Sequence, residues 1–449
     1  MLTVELVNKI MQSQPLGNPK IVDIALNGIT DYFAAIFLAN QQPECLRLLG
    51  MIQQEGGYQQ HWLIGYEHLA TAKQAALFNG FQAHLLDYDD VHSQVRGHPS
   101  AVILSALFSQ ISLPDQKSSS ITGRQFLSAY VVGIEVMARL GEAIGEEHYL
   151  KGWHNTATLG GIAATAAICY LWQYPFTAQA MAIAASQAAG LRLQFGSNMK
   201  PLHAGLAAQQ AVQSVELCCN RLSANDDFLN EKIGFLALYG KGNQALDLSQ
   251  WGDVWRIDSP GLWFKNYPYC SANSYVADAV QTILASNPIT IEQIESIDIA
   301  FSTGGDAALI YRQPQIQAQG RFSAEYVIAC LLQGKVLNEY CFAEQQIDSD
   351  TVELMTKVQR SYLPNAEHRC VKLEIVLHDK QRLSAIVTHP KGSPENPYSQ
   401  QELFSKLSDG IGAIDNAQIF YQVLHKLNST ASVQTVLGEL KNTSLNHKL

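Results

Sequence analysis

Four basic side chains of this chain share one setting. His98 lies in Gly97-His98-Pro99-Ser100, His154 in Trp153-His154-Asn155-Thr156, Lys200 in Met199-Lys200-Pro201-Leu202-His203, and Lys265 in Phe264-Lys265-Asn266-Tyr267-Pro268. Each stands beside a proline or polar breaker, ahead of an apolar run rich in Ala, Gly and Ser, which is how a helix start reads. The unpaired N–H groups there already amount to roughly half a positive charge, so an added cation costs about 0.3–1 kcal/mol. Taken singly, each is an ordinary solvated side chain at a helix start. Surface helix starts, however, are usually enriched in Asp and Glu. Four repetitions imply an anion that offsets the cost, most simply a small carboxylate or phosphate held where helix N-termini converge.

A second cluster lies in His84-Leu85-Leu86-Asp87-Tyr88-Asp89-Asp90-Val91-His92, which follows the apolar run AALFNGFQAHLL. Negative charge at a helix C-terminus is again the unfavourable sign. The segment is either a solvated acidic loop or a place where a carboxylate orients a nearby His or Lys and sets its protonation state.

Other chemistries find no residues to carry them. No GxGxxG follows a strand, and GxxxxGK[ST], HExxH and GxSxG are absent. The eight cysteines, at 45, 169, 218, 219, 270, 330, 341 and 370, form no CxxC and no ligand-spaced His/Cys group, so neither a metal site nor a disulfide framework is expected. With 30 Lys and Arg against 40 Asp and Glu, the net charge of −10 makes nucleic acid and anionic membrane poor partners. The N-terminus has no signal-peptide pattern and the longest apolar stretches read as too short to span a bilayer, so the expected location is the cytoplasm.

The elements that must position these residues follow from periodicity. Hydrophobic content of 47% in 449 residues describes a well-packed protein large enough for two domains. Residues 1–262 read as a large all-helical domain, with apolar residues at helical spacing in IVDIALNGITDYFAAIFLAN and QFLSAYVVGIEVMARLGEAIG. Residues 263–400 read as a smaller α+β lid domain with an antiparallel sheet. Its strands are IESIDIAFS, VKLEIVLHD and RLSAIVTHP, the last two forming a hairpin, and its helices include FSAEYVIACLLQG and TVELMTKVQRSY. Residues 401–449 read as helices that return to the large domain. The fold class is mainly α, and a ligand site is expected at the domain junction.

Seven segments in order resemble one family: AALFNGFQAHLLDYDD, GHPSAV, GWHNTATLGG, FGSNMKPLHAGLAAQQAV, KNYPYC, RFSAEYVIACLLQGKV and KGSPENPYSQQELFSKL are similar to the MmgE/PrpD family. The resemblance spans nearly the whole chain. It implies a homodimer, no metal or organic cofactor, and a small di- or tricarboxylate substrate. The activities it implies are dehydration of a 2-methylcitrate-like acid, decarboxylation of cis-aconitate, or epimerisation of an iminodisuccinate-like acid.

Carried over position by position, Asp87, His98, His154 and Tyr311 match the catalytic positions. Lys200, Lys265, His203 and Cys270 match substrate-binding ones. In that scheme the two lysines clamp carboxylates and the two imidazoles transfer protons, with Asp87 orienting His98 or serving as a partner base. Tyr311 protonates the opposite face. The decarboxylase-like branch carries His where this chain has Cys270 and Thr where it has Val91, which favours water elimination, with epimerisation as the close alternative. Cys270 is either a pocket-lining thiol or a packed small residue. A non-catalytic scaffold is the remaining reading, and it gives no reason to keep all these charges.

Overall fold

The computed structural model describes residues 1–113, 121–241, 245–364, 366 and 369–445. Six helices of the first part frame the site: α1 (Pro19–Ala39), α2 (Ala72–His84), α3 (Pro99–Phe108), α4 (Gly123–Ile144), α5 (Asn155–Trp172) and α6 (Met199–Cys219). Thr71 with Gln74 and Thr122 with Gln125 form capping boxes that start α2 and α4. α3 is buried along its whole length and α5 along nearly all of it, which is why their sequences are small and apolar on every side rather than striped. α1 corrects one expectation: by length and composition it could cross a membrane. Of its most apolar window 78% is buried inside the protein, and Phe33 and Phe37 pack edge-on against Phe420.

α2 and α6 cross at two glycines. A Cβ on Gly205 would lie 2.3 Å from the Leu77 carbonyl oxygen, and one on Gly80 would lie 2.8 Å from the Gly205 Cα. Any larger residue would force the helices apart. The crossing stands about one turn from His84 at the end of α2 and from Lys200 at the start of α6, so it sets the distance between those side chains.

The second part contains α7 (Ala272–Ser286), β1 (Ile294–Ser302), α8 (Ala324–Leu332), α9 (Ser349–Thr356), β2 (Val358–Leu363), β3 (Val371–Leu377) and β4 (Arg382–Val387). Val371, Leu373, Ile375 and Leu377 alternate inward on β3, as do Leu383, Ala385 and Val387 on β4, and they share a core with α7 and α8. The protein is mainly α with a small sheet-bearing part. The sheet, in the order β2-β1-β3-β4, is mixed rather than wholly antiparallel, because β2 runs parallel to β1 with Ile297 opposite Val358.

The run 351–362, read from sequence as one helix, divides at Thr356 into α9 and β2. β2 is an edge strand whose residues are only half-buried or exposed, so it lacks the alternation that marks β3. α10 (Gln400–Ile411) then packs on α1, close enough that a Cβ on Gly410 would lie 2.7 Å from the Ala34 carbonyl oxygen.

Candidate active site

A cleft of about 650 Å³ separates the two parts. Asp87, His98, His154, Lys200, Phe195, Trp263 and Cys270 are among the residues that line it. Local sequence explains the approach of the charged groups. α2 ends at His84, and the chain turns so sharply that Asp87 takes φ +54°, a conformation that Asp tolerates better than most residues. His98 and His154 are the N-cap residues of α3 and α5, and Lys200 is the second residue of α6.

Lys265 departs from the pattern. It follows a short strand, Leu262–Trp263, and the next helix begins seven residues later at Ala272. The intervening turn is held by the Cys270 N–H donating to the Arg321 carbonyl at 3.1 Å.

Asp87 is the centre of the cluster. Its Oδ1 is 2.6 Å from Lys265 Nζ, 3.0 Å from Lys200 Nζ and 3.5 Å from His98 Nε2. Lys265 also donates to the Asp87 carbonyl. Among the described residues, Asp87 Oδ2 is buried without a partner. His84 contacts Asp89 through Nδ1 at 2.9 Å and Lys200 through Nε2 at 3.0 Å. Lysine donates, so His84 Nε2 accepts and its proton sits on Nδ1 facing Asp89. His98 Nδ1 donates to the Asp90 carbonyl at 2.8 Å, and His154 Nδ1 meets His203 Nδ1 at 3.1 Å.

Electrostatics divide these groups. Burial pushes the Asp87 carboxyl up, but Lys200 and Lys265 outweigh it and hold the carboxyl well below the usual range. Asp89 is likewise held low, with His84 and His98 overcoming its burial. Burial drives His98 and His154 well below the ordinary imidazole value, against Asp89 for His98 and with Lys200 for His154. Lys200 is lowered by burial despite Asp87. The cleft therefore presents neutral imidazoles beside an ionised carboxylate and a desolvated ammonium.

The anion that offsets the helix-start cations is first of all the chain's own Asp87, which meets Lys200 and His98 directly. Asp90 Oδ1 accepts from the Ser100 N–H in the first turn of α3, but burial pushes that carboxyl well above the usual range. The 84–92 segment is thus a buried acidic loop rather than a solvated one. His92 of that segment points elsewhere, to the Arg256 carbonyl at 2.9 Å.

Of the eight residues singled out from sequence, Asp87, His98, His154, Lys200 and Cys270 line the cleft. Lys265 is wholly buried behind Asp87, so its ammonium is spent on that carboxylate. His203 stands behind His154. Tyr311 lies outside the lining, its hydroxyl donating to the Phe195 carbonyl at 3.0 Å.

Sequence reasoning passed over His84 as a site residue, although it shares a segment with Asp87, and it passed over Lys406 of α10. The buried Lys406 ammonium reaches Asp31 at 2.6 Å and the carbonyls of Tyr88 and Lys265 at 2.7 and 2.9 Å. It braces both loops from behind. His84, Asp87, Asp89 and His98 bring four possible metal-ligating atoms within 4.8 Å of one another. Two ammonium groups already sit within 3.0 Å of Asp87, so a divalent ion there would face their repulsion.

Residues 10–246 match the model of the MmgE/PrpD N-terminal domain, and residues 267–420 that of the MmgE/PrpD C-terminal domain. Cis-aconitate decarboxylase of Homo sapiens is 26% identical over 351 residues, which cover 74% of this chain and 71% of that protein. The Mus musculus protein of the same description is 25% identical, covering 83% and 79%. The Aspergillus terreus one is 24% identical, covering 78% and 77%.

Proposed function

The chain belongs to the MmgE/PrpD family, and on that premise we propose that it is a lyase of small tricarboxylates, working by proton transfer at a carbon next to a carboxylate. One observation carries this reading: two imidazoles held towards the neutral form, a lysine and a carboxylate held ionised line one cleft together. A C–H beside a carboxylate is very weakly acidic, so its removal needs a positioned base and stabilisation of the developing charge. Lys200 is the ammonium that lines the cleft, and it binds a substrate carboxylate.

His98 is the base. Its Nδ1 proton is committed to the Asp90 carbonyl, which leaves Nε2 with a free lone pair 3.5 Å from Asp87 Oδ1. When Nε2 takes the substrate proton, the new imidazolium faces a carboxylate that Lys265 and Lys200 keep ionised, and the α-carbon electron pair expels the leaving group. His154 donates a hydrogen bond to that group through Nε2, the nitrogen that carries its proton when a His203 Nδ1–H donates to His154 Nδ1, and the departing hydroxide becomes water with the proton that His98 gives up.

The leading reaction is elimination of water from a 2-methylcitrate-like acid. Val91 and Cys270, the two departures from the decarboxylase-like pattern, both line the cleft, which supports that choice. The second reading is decarboxylation of cis-aconitate, favoured by what the relatives are called. The proposal includes a cytoplasmic homodimer acting through its own side chains.

Proton NMR in D2O with 2-methylcitrate, citrate and cis-aconitate tests both readings. Appearance of the alkene from a hydroxy acid supports elimination, and loss of CO2 from cis-aconitate supports the second. Deuterium exchange on an iminodisuccinate-like acid without either reaction would move the chain to the epimerases, and inertness towards all of them would overturn the lyase.

A further inference from the structure

Far from the charged cluster, two cysteines of the sheet-bearing part face one another. Cys330 lies in α8 and is fully buried, while Cys341, in the short turn Glu339–Phe342, is partly exposed. They are eleven positions apart in the chain, and their sulfurs are 3.6 Å apart. The Cys341 side of the pair is held in place. Asn338 caps the turn by accepting from the Cys341 N–H at 3.2 Å, and the Tyr326 hydroxyl donates to the Cys341 carbonyl at 2.6 Å.

The two thiols differ in reactivity. The hydrogen bond between the two sulfurs outweighs burial and brings the Cys341 thiol down to about 7, with Tyr326, Lys335 and Arg321 adding to the effect. The same hydrogen bond, together with burial, pushes the Cys330 thiol up. Burial likewise pushes the Cys45, Cys169 and Cys270 thiols up. A partly exposed cysteine whose thiol is held below its usual range, touching a second thiol, combines a nucleophile with its resolving partner.

We propose that Cys330 and Cys341 are a peroxide-sensitive modification site that closes into a reversible disulfide. The Cys341 thiolate attacks a peroxide oxygen; an S–O bond forms, the O–O bond breaks, and the released hydroxide takes a proton to leave as water. The Cys330 sulfur then attacks the sulfenic sulfur. An S–S bond forms, the S–O bond breaks, and the hydroxyl departs as a second water with the Cys330 proton. Two thiols are oxidised by two electrons and one peroxide is reduced to two waters. A disulfide has sulfurs about 2 Å apart, so closure brings the two sulfurs about 1.6 Å closer and pulls on the turn.

That movement reaches the cleft wall in two contacts. Phe342, next to Cys341, packs on Tyr269 and lies under the Arg321 guanidinium at 5.8 Å. The Arg321 carbonyl holds the Cys270 N–H at 3.1 Å, and Cys270 lines the cleft.

The test needs no substrate. The full-length protein is exposed to hydrogen peroxide at neutral pH, alkylated, digested without reductant and read by peptide mass spectrometry. A Cys330–Cys341 linked peptide is expected, disappearing with dithiothreitol and absent from Cys341→Ser. In Cys330→Ser a dione sulfenate trap should label Cys341 about tenfold faster than the exposed Cys219. Failure of the linked peptide to form in wild type, or labelling of Cys341 no faster than of Cys219, overturns the proposal.

Discussion

Two buried ion clusters, one in each part of the protein, have similar ingredients and opposite character. In the sheet-bearing part, Arg360 of β2 donates to both oxygens of Glu325, at 2.7 and 2.6 Å, to Asp306 at 3.1 Å and to the Leu309 carbonyl at 2.8 Å. Burial lowers the Arg360 guanidinium, but Glu325 and Asp306 outweigh it and the net shift is upward. Its charge is more comfortable in place than in water.

In the cleft, Asp87 leaves Oδ2 without a partner among the described residues, and Lys200, His98 and His154 are all pushed towards neutrality. A cluster that satisfies its members holds a fold together. One that leaves lone pairs free and charges desolvated costs stability and is suited to moving protons.

The sharpest way to break this contrast is His98→Gln. Glutamine fills similar space and can still donate to the Asp90 carbonyl, but it has no lone pair able to take a proton at neutral pH. Turnover of whichever tricarboxylate the wild type accepts should fall by about 10²–10⁴-fold, while the melting temperature holds or rises. A variant that keeps its rate but melts early would make the cleft cluster structural, like its counterpart.

The converse substitution is Arg360→Met. It removes the cation from the buried Glu325 and the half-buried Asp306, which among the described residues keep only the Ser323 and Tyr362 hydroxyls, so stability should drop by about 3 kcal/mol. At a temperature where the variant is still folded, kcat should change by less than about threefold, because no atom of Arg360 lines the cleft. Chemical denaturation and rates on the same sample separate the two quantities. A large rate loss with little destabilisation would reverse the roles assigned to the clusters.

Sequence alone exposed the contrast only in part. The cleft residues were legible where their chemistry conflicts with local rules: His98 and His154 as basic N-caps, Lys200 at a helix start, and Asp87 beyond a helix end. The β3–β4 hairpin was legible because both strands alternate. Partnerships were not legible, because periodicity reports which face is buried and not what it meets. Lys265 carries no local sign that it neutralises a residue 178 positions away, and the His84–Lys200 contact depends on two glycines that sequence shows only as small residues. Arg360 hides in an edge strand without a pattern, and Lys406 in a helix read only as returning to the large domain.

Lys406 and its partner Asp31 supply the intermediate case and the smallest effect. The pair stands directly behind the cleft and shares its defect, since Asp31 Oδ2 is buried without a partner among the described residues. Burial pushes the Asp31 carboxyl up to about 6, with Lys406 only partly opposing it. An unfolded Asp titrates near 3.9, so the folded state holds the proton more tightly. Stability from this group is therefore present in full below about pH 4, and about 2–3 kcal/mol of it is lost as the pH rises through 6.

Asp31→Asn removes that dependence and leaves the buried Lys406 without the carboxylate that opposes its desolvation. The signature is thus a slope. Between pH 4 and 7, the unfolding free energy of the variant should gain on that of the wild type, as read by urea titration at each pH. A parallel pair of curves would mean that Asp31 ionises as easily inside as outside, and would place this pair with the satisfied Arg360 cluster instead of with the cleft.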